Sequence, residues 1–247
     1  MKKLVLVAII LFFTQCEKPN DCVKSTGPMT SKVYQDLTFS KILVNKGIAV
    51  VIQQGARWNV EVRAGENLVN DIEVTVAGQL LTLTDNTTCN WTREYGATTV
   101  YITTPTLTDV YSKTEQSISS QGLLAFDNLR LVSMNTVDGY SGIGTGDFVM
   151  QIQNQTLTID NNDVSRFFVS GTTQQLNVNF YESGGIFEGE NLLGNTIKIY
   201  HRGTNDMVVH PVDRIYGDIY SLGNVLCVVR PPTVAVVEHY KGKLIFY

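Results

Sequence analysis

The chain has 247 residues, 43% of them hydrophobic, which is ample for one sizeable core. Nineteen Lys and Arg stand against 23 Asp and Glu, giving a formal charge of −4, which argues against a nucleic-acid binder, a class that usually carries a basic face. No segment after residue 15 approaches the roughly 20 apolar residues that a spanning helix needs.

The N-terminus carries Lys2 and Lys3, then the apolar run Leu4 to Phe13. A charged start followed by a short apolar stretch is the pattern of a secretory signal. The run stops at Phe13-Thr14-Gln15-Cys16, which resembles a bacterial lipoprotein signal, with Gln15 in place of the usual small residue. Residues 1–15 are then the signal peptide, Cys16 is the acylated first residue, and the polar, Pro- and Gly-bearing residues 16–28 are a lipidated tether. Each buried CH₂ contributes about 0.8 kcal/mol, so two or three acyl chains on Cys16 would anchor the protein without a membrane helix. The competing reading is an ordinary signal peptide with Cys16 as an incidental thiol.

With Cys16 acylated, Cys22, Cys89 and Cys227 remain. Cys227 lies in the apolar run "NVLCVV" and reads as a buried small hydrophobe. Cys22 and Cys89 lie in polar sequence and are the natural disulfide pair in an oxidising compartment. Their bridge would be worth on the order of 4 kcal/mol in the chain-entropy model. Three free thiols are the alternative. No CxxC occurs and the three histidines lie far from the cysteines in sequence, so neither a metal nor a cofactor is expected.

From residue 29 onward, period-two alternation dominates: "VEVRA", "LTLTD", "VYITT", "LRLVS", "LTIDN", "LNVNF", "IKIYH", "VAVVE". Helix periodicity is absent, so residues 29–247 are read as one all-β domain. Apolar-x-apolar centres recur at Val60, Leu81 and Val100, and again at Leu157, Leu176 and Ile197, with Ile219 and Val234 closing the series. Second short elements, "DVSRFFVSG", "GGIFEGE", "NDMVVHP" and "GNVLCVV", lie between the later ones. A period near 20 with two or three strands per unit predicts a single-stranded right-handed parallel β-helix, a solenoid with irregular coils. Residues 103–150 keep the period poorly. The one clear hairpin signal is "VDGYSG" at 137–142.

The segments "DCVKSTGP", "VVIQQG", "ENLVNDIEVTVAGQLLTLTDNTTCNWTREY" and the late "SLGNV" ahead of "RPP" resemble the putative autotransporter adhesin, head GIN domain family. Cys89, Trp91, Arg93 and Tyr95 in "CNWTREY" carry the most specific part of the resemblance, which covers residues 22 to 240. The late motif departs from the family's usual Gly-Ser-Gly-Asn at Leu222. The resemblance implies a right-handed parallel β-helix shaped like the pectin lyases, a cell-surface location in Bacteroidetes, and adhesion rather than established chemistry.

The shape of a pectin lyase makes catalysis the main rival, and fold alone does not decide it. "NTVD" at 135–138 is the nearest approach to a galacturonan-hydrolase motif, and no two acidic residues are adjacent. Asp160 and Asp163 in "DNND" read as turn residues. Glu188 and Glu190 fall on one strand face, "HPVDR" at 210–214 reads as a loop salt bridge, and "GYSGIG" at 139–144 lacks the helix that a serine elbow requires. Trp91, Arg93 and Tyr95 are the candidate binding residues, able to stack a sugar, although packing around the Cys89 bridge explains them more simply.

The expectation is therefore a non-catalytic, lipid-anchored outer-membrane protein, facing the cell surface or the periplasm, that binds a glycan or a cell-surface protein. A polysaccharide lyase or hydrolase on the same fold is the first alternative, and a structural envelope component the second. Clustered carboxylates on one face would favour the enzyme; a flat face rich in Thr, Asn and Tyr would favour binding.

Overall fold

The computed structural model describes residues 25–87, 98–182 and 184–247. Among the described residues there are strands and turns but no helix. One large mixed sheet holds seventeen strands, and a two-stranded hairpin stands apart from it.

The first half comprises β1 (Met29–Gln35), β2 (Lys41–Asn45), β3 (Ile48–Gln54), β4 (Asn59–Gly65), β5 (Ile72–Ala77), β6 (Leu80–Asp85), β7 (Thr98–Thr104), β8 (Asp109–Lys113), β9 (Ile118–Ser120) and β10 (Asn128–Ser133). The small hairpin is β11 (Thr136–Val137) and β12 (Tyr140–Ser141). The long strands β13 (Phe148–Asn161), β14 (Arg166–Phe180), β15 (Ile186–His201) and β16 (Met207–Ile219) follow, then β17 (Val225–Cys227), β18 (Thr233–Glu238) and β19 (Leu244–Phe246).

The sheet forms two ladders that enclose one core. In the first ladder β3 pairs in parallel with β7 and β9, β9 with the start of β13, and the starts of β13 to β16 with one another and then with β17 and β19. In the second, β6, β2, β8 and β10 lead in parallel to the ends of β13 to β16 and to β18. Each long strand thus crosses from one ladder to the other. Asn154 and Thr173 occupy equivalent corners, and each bonds the carbonyl two residues on, Thr156 at 3.0 Å and Gln175 at 3.2 Å. Such local side-chain bonds offer the backbone a turn in place of the ladder.

Register explains the late periodicity. Leu157 pairs with Leu176, Leu176 with Ile197, Ile197 with Ile215 and Ile215 with Val234. The facing column runs Phe148, Phe167, Phe187, Met207, Val225 and Leu244. The Phe148 and Phe167 rings stack with centroids 4.8 Å apart. The first five residues of that column and the first four of the other are fully buried, so adjacent strands bury together what neither could bury alone. Ile219 belongs to a different column, equivalent to Phe180 and His201.

The first half departs from the expected parallel β-helix with irregular coils, because its strands pair in both directions. β1 and β7 both run antiparallel to β4, and β5 runs antiparallel to β6. Val60 lies opposite Ile102 on antiparallel strands while Leu81 is in the other ladder, so the spacing of Val60, Leu81 and Val100 is not a coil repeat. Alternation marks a buried strand face but carries no strand direction, which is why the two arrangements look alike in sequence. Within residues 103–150 the winding continues through β8, β9 and β10, and the excess length is the β11–β12 hairpin. Asp138 and Gly139 both have positive φ (51° and 86°), as a tight two-residue turn demands.

Gly171 has φ +110°, and a β-carbon there would fall 1.9 Å from the Ile152 carbonyl oxygen, so the close approach of β13 and β14 requires glycine.

Candidate functional site

The outer surface of the second ladder is the most differentiated face of the molecule. On β13 to β16 the inward residues are apolar and buried, and the outward ones are Thr158, Asn177, Lys198 and Tyr216 in one column and Asp160, Asn179, Tyr200 and Asp218 in the next. Amide side chains link neighbours within each column, Asn177 donating to Thr158 at 3.2 Å and Asn179 to Asp160 at 2.9 Å, while Gln175 beside them donates to Asn177 at 3.0 Å.

A row of rings runs along this face with one ring per coil. Tyr181 lies 5.5 Å from Tyr200, Tyr200 lies 5.2 Å from Tyr220, and Tyr220 stacks on His239 at 4.2 Å. Tyr181 and Tyr220 are each 39% exposed. Parallel strands stand about 4.8 Å apart, so a ring repeated once per coil necessarily forms a continuous strip. His239 Nε2 meets Asp218 Oδ1 at 2.7 Å, which fixes the last ring. The Tyr181 hydroxyl donates to Asp160 at 3.2 Å; burial first, then the Asp160 charge, push its pKa up to about 12.

A charged cluster abuts the Tyr181 end. Arg130 donates from Nε to Asp160 at 2.6 Å and from Nη1 to Asp138 at 2.7 Å, with Asp109 at 3.9 Å. Tyr111 donates to Asp138 at 2.8 Å, and Lys41 lies 3.6 Å from Asp109. Carboxylates do cluster here, as an enzyme would need. Two members of the cluster are held in fixed protonation states. The Tyr111 bond, with Arg130 behind it, holds Asp138 below the usual carboxylate range and therefore ionised. Burial, then the bond to Asp138, raises the Tyr111 pKa, so the phenol gives up its proton too reluctantly for acid–base work near neutral pH. The charges neutralise one another and pin the β11–β12 hairpin to the sheet.

Elsewhere the sequence candidates separate. Cys16, Cys22, Cys89, Trp91, Arg93 and Tyr95 lie outside the described residues. Cys227 is a fully buried free thiol whose pKa burial pushes up to about 12. Asp163 is buried and accepts from the Gly144 amide at 3.0 Å, a backbone-holding role in a neighbouring loop rather than in its own turn. His210, Asp213 and Arg214 form no salt bridge with one another: His210 Nδ1 lies 2.9 Å from the Glu190 carbonyl oxygen, and Arg214 lies over Tyr216 at 4.8 Å. Glu188 and Glu190 do share a face, lining an open groove of about 440 Å³ on the opposite ladder with Val149 and Phe168. Among the described residues no group of three His, Cys, Asp or Glu is placed to hold a metal.

Sequence reading misses the ring row and Arg130. A signal for the row exists: Tyr181, Tyr200, Tyr220 and His239 are spaced near the coil period. Nothing in spacing ties Arg130 to Asp160, thirty positions on.

A search of curated proteins finds no match. Among solved structures, a putative adhesin from Bacteroides fragilis superposes with a TM-score of 0.79 at 19% identity, over 91% of this chain and 100% of that one. A putative adhesin from Parabacteroides distasonis gives 0.66 at 16%, over 91% and 100%. A putative lipid binding protein from the same organism gives 0.62 at 13%, over 90% and 99%. At these identities the likeness concerns the fold. Residues 38–231 match the family model described as putative auto-transporter adhesin, head GIN domain, and the chain belongs to that family.

Proposed function

We propose that the chain is a non-catalytic binding module of the cell envelope that holds an extended glycan along the ringed face of the second ladder. The observation that carries this reading is the row Tyr181–Tyr200–Tyr220–His239, four rings in contact across consecutive coils on an exposed face. Aromatic rings offer a large contact area at low entropic cost, and the flanking Asn and Thr side chains supply neutral hydrogen bonds. The adhesin family and the adhesin-named neighbours support it. We read the coils from Phe148 onward as a right-handed parallel solenoid, the hand that crossovers between parallel strands overwhelmingly adopt. We also read Cys16 as lipidated and residues 16–28 as the tether of an outer-membrane lipoprotein. Display on a membrane would let weak, repeated contacts add up.

A second reading places an amphiphile in the groove beside Val149 and Phe168, which are 47% and 37% exposed; one structural neighbour is named as a lipid binding protein. Glu188 and Glu190 in the same groove oppose an anionic headgroup, so the glycan reading is preferred.

The test is to incubate the purified protein with neutral and acidic polysaccharides, with and without calcium, and to measure retention together with new reducing or unsaturated ends. Retention without new ends is the expected result. Turnover that disappears in Asp138→Ala or Glu188→Ala would replace the module with an enzyme.

A further inference from the structure

The ringed face has a charge bias that its rings alone do not require. Its strands present Lys198 and Arg214 outward, the former in register between Asn177 and Tyr216 and the latter beside Thr196 and Thr233. Arg202 follows His201, and the bonds from Arg202 N to Phe180 O and from Tyr220 N to His201 O set it level with Tyr181 and Tyr220. All three side chains are exposed, and among the described residues none of them has an ion-pair partner. Two carboxylates touch the ring row and both are already engaged: Asp218 by His239, and Asp160 by Arg130, Asn179 and the Tyr181 hydroxyl. Glu182 and Asp213 lie in the corners, and Glu238, at the end of β18, is engaged by Lys243. The groove on the opposite outer face is acidic: Glu188 and Glu190 line it, and no Lys or Arg lines it with them, although Arg166 lies over the Phe168 ring at 5.6 Å. In a chain of net charge −4, Lys198 and Arg202 thus stand beside the rings without a carboxylate partner among the described residues, and Arg214 lies on the same face four strand positions from the Tyr200–Asp218 level.

We propose that the ligand of the ringed face is an anionic polysaccharide, one that presents carboxylate or sulfate groups at intervals along an extended backbone, with Lys198, Arg202 and Arg214 meeting the anions while the rings meet the sugar faces. This rests on the binding reading above and adds its ligand class. Arg214 lies over the Tyr216 ring, which holds its planar donors on the surface where a carboxylate can take two of them at once. Lys198 and Arg202 lie on the coil before it, so anions spaced along the chain meet cations from two coils. Exposed charges act over about a Debye length, so this recognition weakens with salt whereas stacking does not.

The test uses the purified protein with polygalacturonate as the acidic probe and a neutral β-glucan as the control. Affinity is measured at low salt and at about 0.5 M NaCl, where screening is nearly complete. The wild type should bind polygalacturonate about tenfold or more tightly than the glucan at low salt, and the difference should shrink at high salt. A Lys198→Gln/Arg202→Gln/Arg214→Gln variant should lose that preference while keeping its affinity for the glucan, and Tyr200→Ala should weaken both. Equal, salt-insensitive binding of the two polymers that still falls in Tyr200→Ala would overturn the anionic ligand class and leave the ringed face intact as a binding site. No binding of either polymer, or binding indifferent to Tyr200→Ala, would remove the reading beneath it as well.

Discussion

The imidazole of His239 lies flat on the ring of Tyr220, with centroids 4.2 Å apart and planes inclined by 5°. The stack ends the ring row at the last coil of the second ladder, and Asp218 fixes it through a 2.7 Å bond. If the ring surface is what matters, His239→Phe retains polysaccharide binding and His239→Ala weakens it. One aromatic contact is worth about 0.5–1.5 kcal/mol, so the loss should be about two- to tenfold. Parallel titrations of the two variants measure it; equal loss in both would assign the effect to the imidazole nitrogen instead.

His201 is fully buried, its Nε2 lies 3.0 Å from the Asn205 carbonyl oxygen, to which it donates, and Nδ1 has no hydrogen-bond partner among the described residues. Burial, the largest influence, lowers its pKa below the ordinary value. The unfolded chain therefore takes up a proton near pH 6.5 while the folded chain does not, so stability falls as pH drops below about 6.5. Urea midpoints measured from pH 7.5 to 5 should decline in the wild type and flatten in His201→Gln. A midpoint that holds or rises on acidification would contradict the buried neutral imidazole.

Gly171 cannot be replaced without cost. Its φ of +110° and the 1.9 Å approach of a hypothetical β-carbon to Ile152 O predict that Gly171→Ala destabilises by at least the 1–3 kcal/mol or so of a strained backbone. Chemical denaturation reads this directly. Gly78, with φ +60° and open space where a β-carbon would stand, is the control: alanine there should suffer conformational strain alone.

Arg130 holds Asp160, whose side chain is only 7% exposed, and Asp138, which anchors the hairpin. Removing the guanidinium in Arg130→Met leaves Asp160 with Asn179 and Tyr181 as partners. The expected loss lies between the ~1 kcal/mol of a surface pair and the ~3–5 kcal/mol of a buried one, because Arg130 is itself 30% exposed. Asp138→Asn should cost less and act locally, raising amide exchange in residues 136–141. A neutral Arg130→Met would show the cluster to be ornamental to stability.

Of the four cysteines, Cys227 is the one that lies within the described residues. Cys227 should resist thiol reagents in the folded protein and react on unfolding, since burial keeps it protonated. The expectation for the others is an acylated Cys16 and a Cys22–Cys89 bridge, which mass spectrometry and non-reducing peptide mapping would show. A bridge that includes Cys227 would contradict its buried position.

How much of this can be read from sequence depends on what each feature repeats. Leu157, Leu176 and Ile197 recur because parallel neighbours in register share one buried face, and the three residues pair in that register. The antiparallel pairing of β4 with β1 and β7 is hidden because alternation is the same in either strand direction. The tight turn at Asp138-Gly139 is legible because its positive φ values favour those residues. The ring row is legible in principle but obscured: Tyr200 sits two strand positions before Tyr181 and Tyr220, so the rings meet diagonally rather than in one column. The cluster at Arg130 joins residues from separate strands and a hairpin, which only the fold brings together.

The most direct measurement of the central claim is the affinity of the purified protein for polysaccharide before and after removal of the middle rings in Tyr200→Ala/Tyr220→Ala, with thermal unfolding followed in parallel. The rings are partly exposed and outside the core, so the double variant should fold with nearly unchanged stability while binding falls about tenfold or more. Unchanged binding in a folded double variant would contradict the account.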